Sequence, residues 1–201
     1  GHAKAALELM GYENVKSLKF GMCAWDASLS DRWDSKTFGE GTPADPDGSG
    51  DNLTLVDTAN NNPMLSWHDY PAIADGQPVA DRVEAMLADG FKATSFETIE
   101  GSFDQYFILN YFGPDDYMPG GPNGVPGHIP GAYQFTPYQS LGWDQMLGNL
   151  PTDQTIVVYC WTGQHSSQVT AYLNMLGYDA VSLAYGSNHM FYSNLTGHKW
   201  M

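Results

Sequence analysis

The stretch TIVVYCWTGQHSSQVTAYLNMLG, residues 155–177, decides the fold of this chain. It opens at residues 155–159 with a short apolar, β-branched run, which predicts a strand buried on both faces as in a parallel sheet. A turn follows, and a helix is predicted to begin at Ser166 or Ser167 and to end at Gly177. Cys160 therefore lies between the end of a strand and the beginning of a helix.

A cysteine at this place is expected to have chemistry of its own. The N–H groups of the loop and of the first helical turn point toward such a sulfur and favour the thiolate over the thiol. A stabilised thiolate suits a nucleophile or a carrier of sulfur. The alternative is that Cys160 is a small buried apolar residue with no chemical role.

The segment resembles the active-site loop of the rhodanese (sulfurtransferase) family, which reads Cys-x-x-Gly-x-Arg-Ser. Cys160, Gly163 and Ser166 fall in register with that loop. Residues 127–132, GHIPGA, are similar to a second motif of the family, and residues 106–110, YFILN, stand where the family has a strand that ends in Asp-x-Arg. The resemblance covers residues 77–201.

The resemblance implies an α/β fold, with a rhodanese-like parallel sheet and helices on both faces. It also implies a sulfurtransferase that takes sulfane sulfur from thiosulfate or a persulfide onto Cys160 and passes it to a thiol or to cyanide. It implies neither a cofactor nor a metal. The persulfide-binding loop would comprise Trp161, Thr162, Gly163, Gln164, His165 and Ser166, and the possible border of the site Asn110, His128 and His189.

Two departures from the family pattern bear on activity. His165 stands in place of the loop arginine, and no Lys or Arg occurs between Lys92 and Lys199. We therefore expect weak activity with thiosulfate, and organic persulfides or protein thiols as better donors. The alternatives are a catalytically degenerate module that binds a protein partner, or a thiol redox sensor. A metal site is disfavoured, because the spacing of Cys160 and the histidines matches no zinc pattern.

An internal repeat organises the rest of the chain. Residues 5–15, AALELMGYENV, mirror residues 171–181, AYLNMLGYDAV, and each copy predicts a helix, a glycine stop and a short strand. Residues 1–35 are therefore interpreted as the remnant of a first rhodanese-like domain, as in a tandem-domain rhodanese, on which a missing half-domain or another chain would pack. Residues 36–76 form an irregular connection, and residues 77–201 the intact domain.

Within the intact domain, strands and helices are predicted to alternate, which indicates a parallel sheet. Helices are expected over residues 79–90 and 141–150, and strands over residues 91–96, 106–109 and 181–183. Residues 188–191 and 197–200 are expected to cover the site. Ligands of such sheets bind at the carboxyl ends of the strands, where Cys160 is expected.

The charge balance excludes some partners. The chain has 8 Lys and Arg against 23 Asp and Glu, a net charge of −15, which argues against nucleic acid and anionic membrane surfaces. No stretch is apolar enough to span a bilayer. A periplasmic or extracellular location is favoured and a cytoplasmic one stays open. The spacing of acidic residues over 45–51 is that of a calcium loop, but Val56 stands where a bidentate Glu is required, so a solvated turn is preferred. A Cys23–Cys160 disulfide is disfavoured, because it would consume the thiol best placed for chemistry.

Overall fold

The computed structural model describes residues 1–37, 57, 65–68, 70–71 and 76–200. Five parallel strands form a single sheet in the order β1-β5-β4-β2-β3. They are β1 (Ala93–Thr94), β2 (Phe107–Asn110), β3 (Tyr133–Gln134), β4 (Ile156–Tyr159) and β5 (Ala180–Leu183). The predicted α/β class with a parallel sheet is confirmed.

The helices of the described residues connect these strands or precede them. They are α1 (His2–Leu9), α2 (Asp31–Asp34), α3 (Val79–Asp89), α4 (Phe96–Ile99), α5 (Pro114–Tyr117), α6 (Gln164–Met175) and α7 (Ser187–Met190). Short 3₁₀ turns add Gly21–Ala24, Ala27–Leu29, Phe103–Gln105, Leu147–Asn149 and Tyr192–Asn194. None of the described helices is long and apolar enough to cross a membrane.

Strand β4 occupies the middle of the sheet, between β2 and β5. Each of its four side chains is fully buried, so both faces of the strand are covered, as its unbroken apolar run predicts. Its last residue, Tyr159, is in register with Asn110 of β2. Cys160 therefore follows directly at the carboxyl edge of the sheet, close to its centre.

Helix α6 begins at Gln164, two or three residues before the predicted start at Ser166 or Ser167. Gly163 makes this possible, because its φ of +79° turns the chain at the N-cap position in a backbone conformation that glycine adopts without strain. The helix packs back on β4 and β5. On another side it meets α1 and α3 in a small apolar cluster, formed by Ala5, Ala6, Val83, Met86, Ala171 and Met175.

The first copy of the repeat is only partly as predicted. The helix is present as α1, and Gly11 has a φ of +86° two residues beyond its end. The predicted strand after it is absent, since residues 12–20 contain none. Asn14 and Phe20 both have a φ of +60°, which interrupts extended backbone. The assignment of residues 1–35 to a second rhodanese-like repeat stays a prediction.

The predicted helix over residues 141–150 is wrong. The structure has turns there and ends them with the 3₁₀ turn Leu147–Asn149. Gly142 and Gly148 weaken helical preference, and Met146 donates its N–H to the carbonyl of Ser140 at 2.8 Å, outside any α-helical pattern. Trp67 packs against Gly148 so closely that an added Cβ would lie 2.4 Å from its ring. The acidic run 45–51 and most of the connection 36–76 lie outside the described residues.

Aromatic side chains tie the start of the chain to its end. Trp33 stacks on Trp200 with ring centroids 5.4 Å apart, and Phe20 meets both rings edge-on. All three rings are at least nine-tenths buried. The indole N–H of Trp200 also donates to Asp34 at 2.8 Å. Phe20, Trp33 and Asp34 thereby hold the start of the chain against Trp200.

Candidate functional site

The sulfur of Cys160 lies beside the first turn of α6. The N–H of Ser166 donates to Cys160 Sγ at 3.4 Å, and the Ser166 hydroxyl lies 3.8 Å from the same sulfur. Ser166 Oγ in turn forms a 2.7 Å hydrogen bond with Ser182 Oγ on β5. An N–H donor at a helix start is the kind of group that favours negative charge on a nearby sulfur.

Fewer amides converge on the sulfur than the sequence suggests. The N–H of Gln164 lies 3.4 Å from Thr162 Oγ1 and the N–H of Ser167 donates to the carbonyl of Gly163, so both have other acceptors. Within the described residues, the amide that donates to Sγ is that of Ser166. Because α6 begins early, these two amides donate to acceptors within the turn and the helix and not to the sulfur.

The backbone of Cys160 is fixed from the opposite side by the segment that begins α7. Ser187 donates its N–H to the Cys160 carbonyl at 3.0 Å, and Asn188 donates to the Trp161 carbonyl at 3.1 Å. Gly186 passes so near that an added Cβ would lie 1.9 Å from the Cys160 carbonyl oxygen. The residues that follow β4 are therefore held by contacts with α6 and with the segment that begins α7.

An aromatic stack covers the loop. Trp161 lies between Phe112, with centroids 4.1 Å apart, and His198, with centroids 5.0 Å apart. Asn188 holds the covering segment in place, because its side chain donates to the His198 carbonyl at 2.9 Å and accepts the Trp200 N–H at 2.7 Å. The structure thus places the carboxyl-terminal residues over the loop, as the sequence predicts.

Cys160 is only 1% exposed, yet it borders an open cleft of about 340 Å³. Cys160 thus contributes to the wall of that cleft although almost none of its surface is exposed. The lining residues are Ser17, Lys19, Cys160, Trp161, Thr162, Gln164, His165, Gln168 and His198.

The two histidines of the cleft have lowered pKa values. Burial lowers the pKa of His165, and the neighbouring His198 and Lys4 lower it further. Burial likewise lowers the pKa of His198, with Lys19 adding to the effect. Both rings are therefore neutral at pH 7, and His165 shares a 3.0 Å hydrogen bond with the hydroxyl of Tyr138. His165 accordingly does not replace the positive charge of the family's arginine.

The three residues predicted as a possible border do not line the cleft. Asn110 is buried and donates to the Tyr159 hydroxyl at 2.6 Å. His128 lies 2.9 Å from the Tyr117 carbonyl through Nδ1, and His189 lies 2.7 Å from the Lys36 carbonyl. These polar side chains satisfy buried backbone and hydroxyl groups, which is the role their burial requires.

Sequence reasoning missed Ser17, Lys19 and Gln168 as lining residues. No local motif marks Ser17 or Lys19, because the folding of the chain, and not the loop after Cys160, brings them to the cleft.

Both cysteines are free, and Cys23 packs against the cluster of Phe20, Trp33 and Trp200. Among the residues that the structure describes, no group of three or more His, Cys, Asp or Glu side chains is placed to hold a metal ion.

Comparison with known proteins identifies the domain. Residues 102–192 match the family model of the rhodanese-like domain. The match covers less than half of the chain, and it begins just before β2 and ends just after α7. No curated protein matches the sequence.

Several solved structures are similar to part of the chain. A protein of Staphylococcus saprophyticus subsp. saprophyticus shares 19% identity at a TM-score of 0.40, over 52% of this chain and 98% of its own. A NAD-dependent persulfide reductase from A. fulgidus shares 19% identity at a TM-score of 0.38, over 57% of this chain and 19% of its own. A Bacillus halodurans protein shares 16% identity at a TM-score of 0.39, over 53% of this chain and 75% of its own.

Proposed function

We propose that this protein is a sulfurtransferase that carries sulfane sulfur as a persulfide on Cys160. The observation that carries the proposal is the position of one sulfur atom. Cys160 Sγ accepts an N–H at the start of a 12-residue helix, and Cys160 is one of the residues that line an open cleft of about 340 Å³. Stabilised negative charge and access from solvent are the two properties that a sulfur-carrying thiolate needs.

The first half of the reaction loads the cysteine. The Cys160 thiolate attacks the sulfane sulfur of a donor R–S–S⁻, so the Sγ–S bond forms as the bond within the donor breaks. The bonding pair leaves with the thiolate RS⁻, or with sulfite when the donor is thiosulfate. The product is Cys160–S–S⁻, whose negative charge the Ser166 N–H and the helix dipole stabilise.

The second half returns the cysteine to its starting state. An acceptor thiolate or cyanide attacks the outer sulfur, and Cys160 leaves as a thiolate, so the two halves involve no net oxidation. An incoming thiol must first lose its proton. His165 and His198 border the cleft and are neutral at pH 7, so either ring can accept that proton.

The experiment is an intact-mass measurement after exposure to glutathione persulfide. The native protein is expected to gain the mass of one sulfur atom and to lose it on treatment with cyanide. Cys160→Ser is expected to gain nothing, whereas Cys23→Ser, the matched control, gains the same mass as the native protein. Absence of the gain in the native protein, or an equal gain in Cys160→Ser, contradicts the proposal and favours a module that binds a partner.

A further inference from the structure

A segment outside the matched domain forms one wall of the cysteine cleft. Ser17 and Lys19 line the cleft together with Cys160. The side chain of Gln164, in the first turn of α6, donates to the carbonyl of Leu18 at 3.2 Å. This bond links the segment directly to the loop that follows Cys160. The cleft is therefore completed by residues far from it in sequence.

The same segment brings a positive charge to a cleft whose other described lining residues carry none at pH 7. Residues 93–198 contain no Lys or Arg, and the two histidines of the cleft are neutral at pH 7. Among the lining residues that the structure describes, Lys19 is the one Lys or Arg and none is acidic. In a chain with a net charge of −15, a cleft lined this way is locally favourable for an anion.

No carboxylate among the residues that the structure describes forms an ion pair with the ammonium group of Lys19. Its Nζ lies 4.9 Å from the centroid of the Phe20 ring, and Phe20 is itself fixed between Trp33 and Trp200. The contact with a buried ring keeps the charge near the cleft without cancelling it. Its effect also reaches His198, whose pKa it lowers.

We propose that Lys19 is the anion-binding residue of the Cys160 cleft. Its ammonium supplies the positive charge that the loop after Cys160 lacks. Lys19 therefore favours donors that carry an anionic group beside the sulfane sulfur. This inference rests on the proposed function of Cys160, but the charge preference itself does not depend on sulfur transfer.

The rate at which Cys160 is alkylated tests the charge preference separately from sulfur transfer. Iodoacetate and iodoacetamide react with the same thiolate and are similar in size, but only iodoacetate is an anion. Replacing Lys19 by Met is expected to lower the ratio of the iodoacetate rate to the iodoacetamide rate about three- to tenfold, the effect expected of removing one exposed charge that borders the cleft. Lys19→Arg is expected to keep the ratio. Lys16→Met is the matched control, because Lys16 is exposed and does not line the cleft.

A second readout uses the donor. With thiosulfate, Lys19→Met is expected to raise KM for loading of Cys160 about three- to tenfold and to change kcat less. An unchanged alkylation ratio in Lys19→Met overturns the inference, whether or not sulfur transfer occurs. If Lys19→Met lowers the alkylation ratio as expected but no donor loads Cys160 in the native protein, the proposed function is overturned and the anion preference stands.

Discussion

The hydroxyl pair beneath the sulfur offers the sharpest test of how the site is held. Ser166 is 0% exposed and Ser182 is 1% exposed, and their hydroxyl oxygens lie 2.7 Å apart. Replacing Ser182 by Ala leaves Ser166 Oγ buried beside Cys160 Sγ, a weak partner at 3.8 Å. A buried hydroxyl deprived of its partner costs about 1–3 kcal/mol, so each single Ala variant is expected to lose that much unfolding free energy.

The double variant distinguishes this account from simple loss of packing. With both hydroxyls gone, no buried polar group is left unpaired, so the loss is expected to be smaller than the sum of the single losses by about 1 kcal/mol. Urea unfolding followed by tryptophan fluorescence measures all four proteins. Ser35→Ala is the control at an exposed serine and is expected to change stability by less than about 0.5 kcal/mol. Additive losses, or single losses as small as that of the control, would refute the reasoning.

Two further predictions concern the frame of the site. Gly186→Ala places a Cβ 1.9 Å from the carbonyl oxygen of Cys160 at a φ of +51°, and is expected to cost about 2 kcal/mol or more in urea unfolding and to slow alkylation of the cysteine. Gly76→Ala, with a φ of +74° and no atom of the described residues within 4 Å of an added Cβ, is the control and should cost about 1 kcal/mol. Burial lowers the pKa of His128, so its contribution to stability is present above about pH 6.5 and lost as the pH falls further. In His128→Gln, Tm is expected to decrease less than in the native protein as the pH is lowered from about 6.5 to 5. An equal decrease in both proteins would contradict this.

The centre of the fold could be predicted because its signals are local. The apolar run of β4 and the apolar stripe of α3 are each complete within a short stretch of sequence. Gly177, with a φ of +92°, marks the end of α6 as expected. Cys160 follows from these elements, since a residue between a buried parallel strand and its helix must lie at the carboxyl edge of the sheet.

The failures depend on contacts distant in sequence. Residues 141–150 have the apolar spacing of a helix, but Trp67 packs against Gly148 and the chain turns instead. Asn110 and His128 look like site residues because they are polar and lie in motifs. Their side chains are in fact engaged by the Tyr159 hydroxyl and the Tyr117 carbonyl.

The wall formed by residues 17–19 could not be predicted for a similar reason. An exposed lysine in an irregular segment has no pattern that assigns it to a site. Its position follows from Phe20 and Trp33, which pack against Trp200, and from the bond between Gln164 and the Leu18 carbonyl. Only the folded chain brings its charge to the cysteine.

The central claim is that one sulfur atom passes through Cys160, and an isotope label tests it most directly. Native protein is loaded with glutathione persulfide labelled at the outer sulfur, freed of excess donor, and then treated with cyanide. We predict that the label is found on the peptide containing Cys160 before cyanide, and afterwards as labelled thiocyanate in a ratio of about one per chain, the stoichiometry of a single covalent carrier. Label on Cys23, or thiocyanate formed equally by Cys160→Ser, would contradict the account.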